Sequence, residues 1–308
     1  DKYPPDVILA FPRVFLASNI YNRYSKALGY VPNHTNLNTL SLLTGKVKIS
    51  TKQRPRFIIG TSESLYNYTL SCGLALIDEF HEHDLKSDIF FSLLHKNKRQ
   101  TIVITATPSN DDEALFPKFL PAARRIHIAA TKVFKIKQSK TLATITNYNS
   151  VAQKVTLQVA SNITYGEGIL VFLPRKKDVD LFVFKIKRFL PDFLIVPFYS
   201  EITEKSTELI AAKEKSSKLL IVATQAAESS VTFPTLTEIV DVGLEIRIIT
   251  EPVGDFRSYR IYPRLQYINK FQYQQRKGRV GRNRPGSVVV LYDPDTLSTI
   301  SPNVLDGN

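Results

Sequence analysis

The sequence predicts an α/β protein built from doubly wound parallel sheets. Three observations carry that prediction. Apolar residues gather in short unbroken runs rather than alternating with polar ones, which suits strands buried on both faces. Amphipathic stretches with helical spacing lie between several of those runs. The chain has 308 residues, enough for two domains, and shows no internal repeat.

In open α/β sheets ligands bind just beyond the carboxyl ends of the strands, so the residues after each run are the candidates for function. The first run, VILA (7–10), leads into Phe11, Pro12 and Arg13. FII (57–59) leads into Gly60, Thr61, Ser62, Glu63 and Ser64. Hydroxyls, backbone N–H groups and an arginine fork at such ends suit phosphate contacts. LALI (74–77) leads into Asp78, Glu79, Phe80 and His81. Adjacent carboxylates at a strand end are costly unless they hold a cation or move a proton. Asp78 suits Mg²⁺, and Glu79 suits a base that polarises water. A solvated acidic turn capping the next helix explains the pair equally well. His81 and His83 stand two apart, which suits opposite faces of a strand, and no other Cys/His cluster exists, so a metal cage is excluded.

A helix is expected from Asp84 to His95, with Ile89, Phe90, Leu93 and Leu94 as its apolar stripe. IVI (102–104) then leads into Thr105, Ala106, Thr107 and Pro108, whose hydroxyls can tie two loops together or simply form a turn. Residues 130–165 are rich in Thr, Lys, Gln and Asn and read as a passage between two sheets, with the domain boundary near Asn147.

ILVFL (169–173) leads into Pro174, Arg175, Lys176 and Lys177, a basic turn opening a helix over 178–190 with Val179, Phe182, Val183, Ile186 and Phe189 on one face. A helix N-terminus with basic flanks suits phosphate. LIV (194–196) and LLIVA (219–223) follow, the latter leading into Thr224 and the small, hydroxyl-rich stretch through Glu228 to Thr232. After IV (239–240), residues 244–268 read as two strand-like runs around Pro252-Val253-Gly254-Asp255, a long hairpin or an extra edge pair. Tyr259, Tyr262 and Tyr267 can stack on bases there or pack across the strands. The stretch FQYQQRKGRVGRNRPG (271–286) precedes the last run, VVVL (288–291). Nine basic residues and no acid lie between Phe256 and Arg284. Such a segment either binds nucleic-acid backbone or aims arginines at one phosphoryl group.

Composition narrows the partners. The net charge is +13, from 41 basic and 28 acidic residues, which favours a polyanion. Cys72 is the single cysteine, so no intrachain disulfide forms and a reducing compartment is favoured. No apolar run approaches the roughly 20 residues of a membrane span, and the stretch DKYPPDVILAFPRV lacks the charged-then-apolar layout expected of a signal peptide.

Taken in order, PR, TSES, DEFH, TATP, VFLPR, ATQAAESSVT and QRKGRVGR resemble the motif series of the superfamily 2 DExH helicases. DEFHEHD and AESSVT narrow the likeness to viral RNA helicases of the poxvirus nucleoside triphosphate phosphohydrolase II type, with flavivirus and potyvirus types related. Cellular DEAH-box helicases usually carry Ala where Phe80 stands. The resemblance implies two RecA-like domains, residues 1–146 and 147–308, with ATP or another NTP and Mg²⁺ in the cleft between them. Asp78 and Glu79 would hold Mg²⁺, Glu79 would act as base, and His81 would couple the domains with Thr105 and Thr107. Gln275, Arg279 and Arg282 would reach the γ-phosphate, with Gly278 and Gly281 turning the backbone and Glu228 at the nucleotide. Pro12, Arg13, Thr61, Ser62, Pro174, Arg175 and Thr224 would grip single-stranded or duplex RNA, with DNA as a possible substitute. The implied activity is 3′ to 5′ RNA translocation and unwinding, the hairpin splitting the duplex. The implied location is the host cytoplasm, the virion or a viral replication site.

One element of the pattern is absent. No Gly-x-x-x-x-Gly-Lys-Ser/Thr loop occurs in the 308 residues, and YGEG (165–168) does not replace it. The first domain is therefore expected to be incomplete at its N-terminus, and the polypeptide itself to hydrolyse ATP weakly. A silent scaffold that only binds nucleic acid, and a DNA translocase of the same superfamily, are the competing expectations.

Overall fold

The computed structural model describes residues 5–29, 40–49, 55–80, 85–105, 123–128, 134–228, 231–253 and 258–298. By packing, the chain divides into two compact units, with Arg124 ending the first and Arg125 opening the second.

The first unit holds β1 (Val7–Phe11), β2 (Leu40–Leu43), β3 (Lys48–Ile49), β4 (Phe57–Thr61), β5 (Leu74–Ile77) and β6 (Gln100–Val103). They form one sheet in the order β3-β2-β4-β1-β5-β6, parallel except where β3 runs against β2. Successive side chains of a strand serve opposite faces. Ile8, Ala10 and Ile58 join one core with Leu65, Phe90 and Leu94. Phe11 and Ile59 join another with Leu16, Ala17 and Tyr21. Both faces are thus covered, by helices α1 (Val14–Ala27) and α2 (Leu85–Lys96) and by a 3-10 turn, Glu63–Leu70. That double coverage is why the strand sequences are continuous apolar runs. Helix α1 stops at Gly29, whose φ of 71° is left-handed.

The second unit holds β7 (Ile136–Lys140), β8 (Gly168–Phe172), β9 (Phe193–Phe198), β10 (Lys218–Ala223), β11 (Leu236–Asp241), β12 (Leu244–Val253), β13 (Ser258–Tyr267) and β14 (Gly286–Val290). A six-stranded, all-parallel sheet runs β7-β14-β11-β8-β10-β9. Its helices are α3 (Tyr148–Ala160), α4 (Lys176–Ile186), α5 (Thr203–Lys213) and α6 (Lys270–Lys277). Ala152 and Val155 of α3 and Val179, Phe182 and Ile186 of α4 pack with Ile169, Val171, Leu220, Val222 and Val240. Each of the Val, Leu, Ile and Phe side chains among them contributes about 1.5–3 kcal/mol on burial.

All nine apolar runs named above lie in or end on strands of these two sheets, so the α/β parallel-sheet class holds. Two readings differ from the structure, and a third, left between two alternatives, is resolved by it. The passage 130–165 supplies β7 and α3, so packing joins it to the second unit well before Asn147. Helix α4 starts at Lys176 and ends at Ile186, which leaves Phe189 outside the helix and exposed. The segment 244–268 is a separate two-stranded antiparallel sheet rather than an added edge pair, with β12 and β13 in register from Leu244↔Tyr267 to Val253↔Ser258.

Candidate functional site

In the first unit the candidate residues line the carboxyl edge of the sheet in strand order. The register Phe11↔Thr61 sets the Pro12–Arg13 and Thr61–Ser62 turns side by side, and Ser62 N donates to Phe11 O at 3.2 Å. Arg13 is the half-buried N-cap residue of α1, with extended backbone. On the other side of β1, Asp78 N donates to Ala10 O at 3.0 Å. Beyond β6, Ile104 O accepts from Phe80 N at 3.2 Å, which ties the Thr105 turn to the acidic turn. Thr61 and Ser64 share a hydrogen bond of 2.8 Å between their hydroxyls.

The acidic turn is strained. Glu79 has φ 53°, the left-handed region that residues with a Cβ seldom enter. Its N–H donates to Asp78 Oδ1 at 2.9 Å, so the Asp78 carboxylate helps to hold that conformation. Phe80 is buried and tilts onto Phe91 with ring centroids 5.2 Å apart, so the aromatic residue at this position belongs to the core. Mg²⁺ commonly takes only one or two protein carboxylates and keeps several waters. An aspartate at a sheet edge fits that donor set, and no cluster of three or more His, Cys, Asp or Glu exists among the described residues. His81 and Thr107 lie outside the described residues.

Ser62 departs from its expected role. It is buried, and its hydroxyl bonds Ser87 at 2.9 Å, fastening the turn to the first turn of α2 instead of facing a ligand.

In the second unit, Ala223↔Phe172 and Asp241↔Phe172 pairing brings the ends of β10, β8 and β11 together. Thr224 caps the 3-10 turn Gln225–Ala227, its Oγ1 accepting from Ala226 N at 3.4 Å. Arg175 is the N-cap residue of α4 and its Nε lies 3.4 Å from Asp178 Oδ2. Tyr148 OH also donates to Asp178 Oδ2, at 2.9 Å. Burial, then that carboxylate, push the Tyr148 phenol up to about 12.

Helix α6 carries the arginine-rich stretch. Its start is fixed by a capping box, in which Asn269 Oδ1 accepts from Gln272 N at 2.8 Å and Gln272 Oε1 accepts from Asn269 N at 3.0 Å. Its end is Gly278, with an ordinary helical φ of −68°. Of Gly278 and Gly281, the second alone needs glycine's freedom. Its φ is 74°, and an added Cβ would sit 2.7 Å from Ile136 Cγ1. The expectation that both glycines turn the chain therefore holds for one of them. Gln275 is half-buried, Arg279 donates to the backbone oxygens of Glu228 and Val231, and Arg282 Nε donates to Gly278 O at 2.8 Å.

The residue that sequence reading missed is Arg276. It is 1% exposed, yet charged on every side that matters. Its Nε donates to Glu228 Oε1 at 2.7 Å and its Nη1 to Asp241 Oδ1 at 2.7 Å. Its Nη2 reaches Leu244 O at 3.4 Å, and its guanidinium lies over Phe172 at 4.8 Å. Burial opposes the charge, but Asp241 and Glu228 outweigh it and hold the pKa above the usual arginine value. Glu228, expected at the nucleotide, is instead buried and turned inward to Arg276. The available signal was the spacing of Tyr273 and Arg276, three apart on one helical face, both buried.

The hairpin joins this network at its root. Glu245 accepts from Gln266 Nε2 at 3.1 Å and from Gln272 Nε2 at 2.5 Å. Paired residues share a face. Ile246 with Leu265, and Ile248 with Pro263, make one face apolar; Arg247 opposite Arg264 marks the other. Tyr262 donates to Glu251 Oε1 at 2.7 Å, so it is a cross-strand neighbour.

Comparison with known proteins finds similar sequences and similar folds. Residues 153–284 match the helicase conserved C-terminal domain. The RNA helicase NPH-II of Variola virus is 28% identical over 315 residues, covering 97% of this chain and 44% of that protein. NPH-II of Fowlpox virus (strain NVSL) is 26% identical over 309 residues, covering 96% and 43%. The chain thus spans less than half the length of these relatives. The crystal structure of Escherichia coli DEAH/RHA helicase HrpB aligns with a TM-score of 0.81 at 21% identity, covering 96% of this chain and 38% of that one. A second, of the E. coli DExH-box NTPase HrpB, gives 0.75 at 19%, covering 97% and 37%. Residues 153–284 thus match the helicase conserved C-terminal domain, and the chain as a whole is similar in sequence to the poxvirus RNA helicases NPH-II and in fold to E. coli HrpB.

Proposed function

We propose that the chain supplies the motor portion of an NTP-dependent RNA helicase that moves 3′ to 5′ along single-stranded RNA and unwinds duplexes. The observation that carries the reading is the line of Arg13, Thr61, Asp78 and Thr105 turns along one sheet edge, where α/β sheets bind ligands. In this proposal Asp78 orients Mg²⁺ and Glu79 draws the proton from the attacking water. Gln275, Arg279 and Arg282 stabilise charge on the transferring phosphoryl group, a role worth about 10³–10⁵ in rate for an arginine finger. Pro12, Arg13, Thr61, Pro174, Arg175 and Thr224 hold the backbone of the strand, which carries no sequence information. Bound Mg²⁺ would neutralise phosphate charge.

The test is NTP hydrolysis by the chain within the full-length protein. Single-stranded RNA is expected to stimulate it, and Glu79→Gln to abolish turnover while nucleotide binding persists. Absence of RNA stimulation would sink the motor reading, and stronger stimulation by DNA would transfer it to a DNA translocase.

A scaffold that only binds nucleic acid is the second reading. Two observations favour it: Arg279 is engaged by backbone oxygens, and Glu228 faces inward. RNA binding without NTP turnover in the full-length protein would establish it.

A further inference from the structure

Helix α4 carries apolar side chains on two opposite sides. Val179, Phe182 and Ile186 are buried in the core of the second unit. At about 100° per residue, Leu181 and Phe184 stand on the far side of the helix, where they are 45% and 81% exposed. Lys177, Leu181, Phe184 and Arg188 follow at spacings of four, three and four, one line along the outer surface. Lys185 stands to one side of that line and Lys187 to the other, and all four cations are exposed. The backbone keeps its turn past the helix end, with Lys187 N donating to Val183 O at 3.2 Å. Just beyond, Phe189 is a third exposed apolar side chain, its ring 4.6 Å from the Arg188 guanidinium. The acids of the stretch offset little of this charge. Asp178 is buried, Asp180 accepts from Tyr199 OH at 3.2 Å, and Asp192 follows the helix.

Single exposed leucines are ordinary on a protein surface, but an apolar centre with cations on both flanks has a specific complement. We infer that the outer face of α4 docks on an anionic lipid surface, with Phe184 and Leu181 entering the headgroup region and Lys177, Lys185, Lys187 and Arg188 reaching the lipid phosphates. Long cationic side chains can bend back to the headgroups while the apolar centre sinks between them. The outer side of a single helix is convex, which suits a soft planar surface, whereas a helical peptide partner needs a groove to lie in. A second copy would set four cations against four. RNA would answer the cations but not Leu181, an aliphatic side chain with no stacking face.

The chain contains no tryptophan, so Phe184→Trp puts a single fluorescent reporter on this face. Its emission is expected to move to shorter wavelength with vesicles containing phosphatidylserine and to stay unchanged with vesicles of phosphatidylcholine alone. In vesicle co-sedimentation, Phe184→Ser is expected to weaken partition roughly tenfold, as loss of one buried aromatic side chain requires. Leu181→Ser, at a second exposed position, should weaken it in the same direction. Lys185→Gln with Lys187→Gln should weaken it roughly tenfold or more at low salt, since each cation near an anionic surface is worth about fivefold. Lys213→Gln with Lys215→Gln removes the same charge at the end of α5 and should have little effect. Equal losses from the two lysine pairs would mean diffuse attraction of a basic chain and overturn the docking face. An emission shift that follows protein concentration without vesicles would assign the face to a second copy. A shift produced by a single-stranded RNA oligonucleotide and not by vesicles would assign it to nucleic acid. Either result overturns the lipid assignment, as does the absence of any shift.

Discussion

Arg276 Nη1 lies 2.7 Å from Asp241 Oδ1, and each side chain is only 1% exposed. Three distant stretches of chain meet there, since the same guanidinium also holds Glu228 and reaches Leu244 O. A buried ion pair gains little over a well-packed apolar pair, but an orphaned buried charge is expensive. Arg276→Met removes the cation that balances the buried Glu228 and Asp241 carboxylates and is expected to cost about 3–5 kcal/mol of stability. Combining it with Asp241→Asn should recover part of that loss, giving a non-additive double-mutant cycle in chemical denaturation. Additive losses would mean that the contacts are energetically independent.

Glu79 exchanges stability for position. Left-handed backbone costs a residue with a Cβ about 1–2 kcal/mol, more than the roughly 0.5–1 kcal/mol that glycine forfeits through its freedom in the unfolded chain. Glu79→Gly should therefore leave the melting temperature unchanged or higher while NTP turnover is lost. A marked fall in melting temperature would show that the side chain, not the backbone, governs this turn.

Stability should fall in strong base in part through Tyr148. Its phenol is neutral in both states below about pH 10, the usual tyrosine value. Above that the unfolded chain releases the proton first, while the folded chain keeps it to about pH 12, because burial and Asp178 disfavour the phenolate. The unfolded state then binds fewer protons, so unfolding becomes easier as pH rises across that window, by on the order of 2 kcal/mol. Urea melts of the wild type and Tyr148→Phe between pH 9 and roughly pH 12 should converge with rising pH, as Phe cannot ionise. Parallel profiles would refute the assignment.

The interior of both sheets was legible because parallel strands covered on both faces must be apolar at every position, and ILVFL or LLIVA has no other reading of that length. Strand β7, IKQSK, escaped because only one of its edges is paired and four of its five residues are exposed. Helix α3 escaped because small Ala152, Thr156 and Ala160 share its buried face with Tyr148 and Val155, which leaves a weak apolar stripe in a Thr-, Gln- and Asn-rich passage. Where the strands end, and so which residues follow them, was legible from the apolar runs alone. The inward turn of Glu228 and the burial of Ser62 depend on partners 48 and 25 residues away, which local pattern does not encode. Arg276 went unremarked because arginine is almost never fully buried unless paired, and its pairs are remote in sequence.

The outer position of β7 bears on colloidal behaviour. A sheet whose central strands are so uniformly aliphatic is a template for accretion wherever its rim lies open. Here the rim strand carries Lys137 and Lys140, both exposed, the latter tethered to Asp293 at 3.2 Å. Positive charge along that rim makes two copies repel at the place where two strands would otherwise zip together.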